Sequence, residues 1–171
     1  MNNQSISEFN KILTEKYLKN EPEGQYFDRK SISIKPKDLA KTIIAFANAA
    51  GGILAVGVND IGEFEGINEA GQEKINNIIN AYRELCTPPP KIKYEILDVK
   101  NKNNNDDKII IFHIEPSYNK MIKSTDESVY LRIGDKSNKL GIDEIRALQY
   151  DKGERAFEEE IAEHATIDDL D

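Results

Sequence analysis

The run Ile53-Leu54-Ala55-Val56-Gly57-Val58 holds six residues without a polar side chain. Six unbroken apolar residues suit a strand covered on both faces, and fall far short of the roughly 20 that a membrane helix needs. What precedes the run fixes its context. Pro36 stands where a first helical turn tolerates a missing N–H, Leu39, Ile43, Phe46, Ala47 and Ala50 recur at helical spacing, and Gly51-Gly52 stops that helix just before the strand. Upstream, Tyr26 to Ile34 alternates as a strand, with Phe27, Arg29, Ser31 and Ser33 on one face and Asp28, Lys30, Ile32 and Ile34 on the other. Strand, helix and strand form a βαβ-like unit whose crossover is right-handed if the strands are parallel. The fold class expected is α/β, a single domain with a mixed β-sheet flanked by helices.

The remaining segments fit around that unit. Ile6, Phe9, Ile12, Leu13 and Tyr17 predict a short amphipathic helix over residues 1–20, ended near Asn20 before Pro22. Glu69 to Leu85 carries Ile75, Ile78, Ile79, Tyr82 and Leu85 at helical spacing and is ended by Pro88-Pro89-Pro90. Two strands, Lys91 to Val99 and Lys108 to Ile114, flank a polar loop with four Asn between Asn101 and Asp107, read as a mobile hairpin tip. Ser128 to Ile133 is a further strand followed by the turn Gly134-Asp135, and Ile142, Ile145 and Leu148 begin another helix. Gly153 to Ala165 reads as a solvated helical arm. The chain thus divides into an N-terminal helix (1–20), a domain (21–150) and an acidic helical tail (151–171) that would link to a downstream domain.

Composition excludes several classes of function. One cysteine, Cys86, cannot form an internal disulfide, and with only His113 and His164 beside it no zinc site of ordinary composition can be built. Cys86 is expected to be a packed or partly exposed thiol rather than a nucleophile, and His113, inside an apolar strand, a core residue. The N-terminus lacks a signal peptide, so a cytoplasmic location is expected. The formal charge of -8 speaks against nucleic acid until it is located. Leu140 to Asp171 holds 11 acidic and 3 basic residues, which leaves 20 of each in residues 1–139. The tail carries the acidity. Within the neutral body, Arg29, Lys30, Lys35, Lys37 and Lys41 stand against Asp38 alone, which predicts a local positive patch.

No phosphate-cradling G-x-x-x-x-G-K-[ST] loop is present, which argues against ATP hydrolysis by this chain. The set with chemical content is Glu23, Asp28, Lys30 and Asp60. Asp28 and Lys30 project from one strand face, where a carboxylate can hold a divalent ion while an ammonium faces a phosphate, and Asp60 follows the buried strand at the end where open α/β sheets place ligand groups. Hard carboxylate oxygens suit Mg²⁺ or Mn²⁺. Spacing alone favours the plainer reading of a surface ion pair and an ordinary turn residue.

Glu23-Gly24-Gln25-Tyr26-Phe27-Asp28-Arg29-Lys30-Ser31, Leu39-Ala40-Lys41, Ala45-Phe46-Ala47-Asn48-Ala49-Ala50-Gly51-Gly52, Gly57-Val58-Asn59-Asp60 and Gly66-Ile67 together resemble the Schlafen-type AlbA-like domain, also called divergent AAA. Val129 to Gly134 and Asp143 to Leu148 resemble its closing strand and helix. The resemblance covers residues 20 to 150. It implies a nucleic-acid-binding module, DNA or RNA, of a bacterial transcriptional regulator or ATP-binding-type protein. Lys30, Lys35, Lys37 and Lys41 would contact phosphates, supported by Arg132 and Lys136, and a homodimer is implied because Alba-type proteins pair. Two alternatives stand beside it. One is a Mg²⁺- or Mn²⁺-dependent endoribonuclease of Schlafen type, whose three carboxylates fall on Glu23, Asp28 and Asp60, although Asp28 replaces the usual Glu and the animal members' zinc cluster is missing. The other is a protein-interaction or oligomerisation domain.

Overall fold

The computed structural model describes residues 3–154. In chain order the elements are α1 (Asn3–Asn20), β1 (Phe27–Lys30), α2 (Pro36–Asn48), β2 (Gly52–Val56), α3 (Gln72–Glu84), β3 (Cys86–Thr87), β4 (Ile92–Lys100), β5 (Asp106–Ile114), β6 (Lys123–Ser124), β7 (Tyr130–Ile133), β8 (Lys136–Lys139) and α4 (Ile142–Asp151). The principal sheet has the order β1-β2-β5-β4. β1 runs parallel to β2, joined through α2, while β5 is antiparallel to both β2 and β4, so the sheet is mixed. β3-β6 and β7-β8 form two separate two-stranded ladders. The α/β architecture and the βαβ unit are as the sequence predicts.

Alternation in β2 and β5 sorts the core into two layers. Leu54, Val56, Ile110, Phe112 and Ile114 pack against α2 and α3, while Ala55, Ile109 and Ile111 pack with Phe27 and Leu18 on the α1 side. Among the described side chains of α1, Leu18 enters the core, and Ile12 and Leu13 of the expected apolar stripe stay exposed. α2 has more than the single buried stripe expected of it. From Thr42 to Asn48 every residue is buried, because the sheet lies on one side and α3 and the β7-β8 hairpin on the other.

Local polar chemistry shortens the elements read from periodicity. The first strand stops at Lys30 rather than Ile34: Ser31 Oγ accepts from Ser33 N–H and Ser31 O from Ile34 N–H, forming a turn. β2 stops at Val56, and Gly57, at φ +100°, turns the chain so that its N–H and that of Val58 both donate to Lys30 O. The third helix begins at Gln72, after a 3-10 turn over Asn68–Ala70. The Asn-rich tip is an organised turn in which Asn101 Oδ1 accepts from Asn103 N–H at 2.9 Å and Asn105 N–H at 3.1 Å. The sequence carries no strand signal for β3, β6 or β8, which are only two to four residues long and hold one apolar residue among them, Cys86.

His113 corrects its expected place. Ile110, Phe112 and Ile114 point to α2, so His113 points the other way; its side chain is half exposed and lies 3.0 Å from Glu95 Oε1. Cys86 is buried, as expected. The acidic arm expected from Gly153 to Ala165 lies outside the described residues beyond Glu154. No helix among the described residues is long and apolar enough to cross a membrane.

Candidate functional site

Asp28 sits on the face of β1 that looks toward α2, and it is only 1% exposed. A lone carboxylate there would be costly, and two cations answer it. Arg132, from β7, brings Nη1 to 2.8 Å from Asp28 Oδ2, and Lys30 Nζ lies 3.4 Å from the same oxygen. Every nitrogen of the guanidinium is engaged: the other two donate to Gly24 O and Phe27 O, Nη1 also reaches Ser137 Oγ at 3.3 Å, and its face lies 4.6 Å from the centroid of the Phe46 ring. Asp28 Oδ1 is buried without a donor. Glu23 stands beside it, and its carboxyl is held above the usual range by desolvation first and then by the Asp28 charge, with Lys30 and Arg29 opposing.

Glu23, Asp28 and Lys30 therefore lie together, but Asp60 does not join them. It lies exposed in the turn after β2, beyond the end of β1 opposite Glu23. Among the described residues no three carboxylate, imidazole or thiolate side chains gather closely enough to hold a metal. Arg132 and Lys30 already balance the two carboxylates, so the residues present do not fit the Mg²⁺ or Mn²⁺ site that the resemblance implies.

The expected cationic patch is reduced in the same way. Arg29 is buried on the α1 side, donating to Leu18 O and Glu21 O as a cap on the end of α1. Arg132 is 3% exposed, so its expected phosphate contact is replaced by the Asp28 pair. Lys41 pairs with Asp38 at 3.3 Å. Lys35, Lys37 and Lys136 are exposed and take part in no ion pair among the described residues. Lys35 and Lys37 flank Pro36 at the start of α2, and Lys136 lies on β8, which packs against the same helix.

The profile of the family described as Schlafen, AlbA_2 matches residues 23–141, from Glu23 through the β7-β8 hairpin that carries Arg132. The chain belongs to the Schlafen AlbA_2 family. Among solved structures, the DIP2311 protein from Corynebacterium diphtheriae is similar in fold, with a TM-score of 0.50 and 17% identity over 78% of this chain. This chain spans 27% of that one. No curated protein sequence matches it.

Within this AlbA_2 domain several family-motif residues prove to be architectural. Asn48 is buried, and its amide accepts from Ile122 N–H at 2.7 Å and donates to Ile122 O at 2.8 Å and Tyr130 O at 3.0 Å, tying α2 to the segments that follow β5. Gly51 has φ +74°, and at Gly52 a Cβ would meet the Phe46 ring at 2.8 Å, so the pair ends α2 and admits Phe46 beneath the strand. Three residues went unnoticed in the sequence. Gln25 clamps the hairpin by donating to Arg132 O and accepting from Gly134 N–H. Asp107 holds the Gly66-Ile67 turn, accepting from Ile67, Asn68 and Lys108 N–H. Ser137 supports Arg132. Asp107 alone carried a signal, since it lies in phase with the buried Ile109 and Ile111.

Proposed function

We propose that this domain is a nucleic-acid-binding module of a transcriptional regulator, holding DNA by its phosphate backbone. The observation that carries the reading is the exposed pair Lys35 and Lys37 at the first turn of α2, neither in an ion pair among the described residues, in a domain of this family. The positive end of the helix dipole adds to their charge, and Lys41, one turn on from Lys37, with Lys30 and Lys136 supplies weaker contacts. Such contacts supply affinity rather than sequence choice. Binding is favoured over cleavage because Asp28, the carboxylate a nuclease would need, is engaged by two cations.

The test is a fluorescence-anisotropy titration of a labelled DNA duplex at several salt concentrations. Three or four phosphate contacts give a slope of log K against log salt of about -2 to -4. The Lys35→Glu/Lys37→Glu/Lys41→Glu triple variant is expected to lose duplex binding with an unchanged circular dichroism spectrum. Affinity independent of salt, or intact in the triple variant, overturns the reading.

A further inference from the structure

At the far end of α2 from Lys35, roughly 18 Å along the helix at 1.5 Å per residue, the run Pro88-Pro89-Pro90 faces the loop Glu115 to Lys120 across a groove of about 730 Å³. Its walls are the proline rings with Pro116, its floor is Ile122, and the ring of Tyr118, 77% exposed, stands at its side. A second cavity of about 530 Å³ shares Pro89, Pro90, Lys91 and Glu115 with it and reaches Arg83 and Lys93.

The rim is strongly one-signed. Arg83, Lys91, Lys93 and Lys120 line the two cavities against Glu115 alone, and none of the four forms an ion pair among the described residues. The buried centre of the domain, by contrast, has its cations spent on carboxylates. The groove is also preformed. Ser117 N–H donates to Ala47 O at 2.7 Å and Ser117 Oγ to Lys120 O at 2.6 Å, Glu115 N–H donates to Lys91 O at 3.0 Å, and Asn48 fixes Ile122 from below. An exposed aromatic ring beside apolar proline surface, with cations on the rim, is what a single strand needs: a surface for the base faces and charge for the backbone. A duplex keeps its base faces stacked inside and has no use for the exposed Tyr118 ring.

We infer that this groove binds single-stranded nucleic acid, with a base stacked on Tyr118 and the proline faces and the phosphates held by Lys91, Lys93, Lys120 and Arg83. The inference rests on the nucleic-acid reading above and adds a second surface, with its own strand preference, to the α2 lysines.

The experiment compares a labelled 12-nucleotide single strand with a duplex of the same length, at low salt, on the whole chain. Tyr118 is exposed, so Tyr118→Ala leaves the core untouched; the single strand is expected to bind about fivefold or more weakly, the loss of one stacked base, while duplex affinity stays within twofold. Lys91→Glu/Lys120→Glu is expected to weaken the single strand at least tenfold and to lower its salt slope by about two. Single-strand binding unchanged in both variants overturns the groove and leaves the α2 reading standing, whereas no binding of either probe by the unaltered protein overturns both. A poly-glutamate peptide that binds as tightly as the strand and is lost in the same variants assigns the groove to an acidic protein segment and overturns occupancy by nucleic acid.

Discussion

Arg132 Nη1 lies 2.8 Å from Asp28 Oδ2 with both side chains almost wholly out of solvent, so two residues 104 positions apart share one desolvated ion pair. A buried pair of this kind adds little over a well-packed apolar pair, but removing one partner strands the other.

Arg132→Leu is accordingly expected to destabilise the domain by about 3–5 kcal/mol, since Lys30 alone cannot replace the guanidinium at Asp28, Gly24 O and Phe27 O. The double variant Asp28→Leu/Arg132→Leu is expected to recover much of that loss. Urea denaturation of the two proteins checks it, and equal losses would show that the charge pair is not the reason.

Glu23 gives the domain a pH dependence of definite sign. Its folded-state value is raised above the ordinary 4.5, so between that value and the raised one the folded state holds the proton more tightly than the unfolded chain. Stability contributed by the protonated form is full below 4.5 and is lost as pH rises through the folded value. Glu23→Gln keeps the neutral form at every pH. Its melting temperature is expected to exceed that of the unaltered protein at pH 8 and to match it at about pH 4. Parallel melting profiles across that range would contradict the Glu23–Asp28 contact.

Asp107 works in the opposite direction. Burial opposes its charge, but the N–H groups of Lys108, Asn68 and Ile67 and the amide of Asn101 outweigh that cost and hold its carboxyl below the ordinary 3.8. Its contribution is present above 3.8 and lost as pH falls through the lower folded value. Asp107→Asn is expected to cost about 2–3 kcal/mol near neutrality, with the gap from the unaltered protein narrowing in acid. A gap that stays constant into strong acid would remove the charge from the account.

Cys86 is expected to resist thiol reagents in the folded protein. Burial pushes its thiol up to about 12, and the thiolate is the reactive form. Labelling by a disulfide reagent at pH 8 should proceed only at the rate of opening, and should become fast in urea. Fast labelling under native conditions would show that the β3 segment opens on its own.

The parts legible in the sequence are those where burial imposes a period. β2 follows from its unbroken apolar run, β4, β5 and the buried core of α2 from the placing of their apolar residues, and Asp28 and Lys30 do share a strand face. What was not legible is what lies across the chain from them. Arg132 sits in Tyr130-Leu131-Arg132-Ile133, where a charged residue between apolar neighbours reads as solvent-facing. In the fold it is in phase with the buried Tyr130 and finds its counter-charge 104 residues away. No spacing rule carries information over that distance. β8, Lys136–Lys139, has no apolar residue at all and is a strand only because β7 offers it a partner across the Gly134 turn.

The Asp28–Arg132 pair also sets an order of events during synthesis. A chain made from its N-terminus can form α1 and pair β1 with β2 when fewer than half of its residues have emerged, but Asp28 then faces the interior with only Lys30 to answer it. The charge is settled when β7 arrives, some 75 residues after β2. Before then, closing this side of the sheet dry over Phe46 would bury the Asp28 charge short of its main partner, so the arginine is a condition of the finished core as much as a part of it.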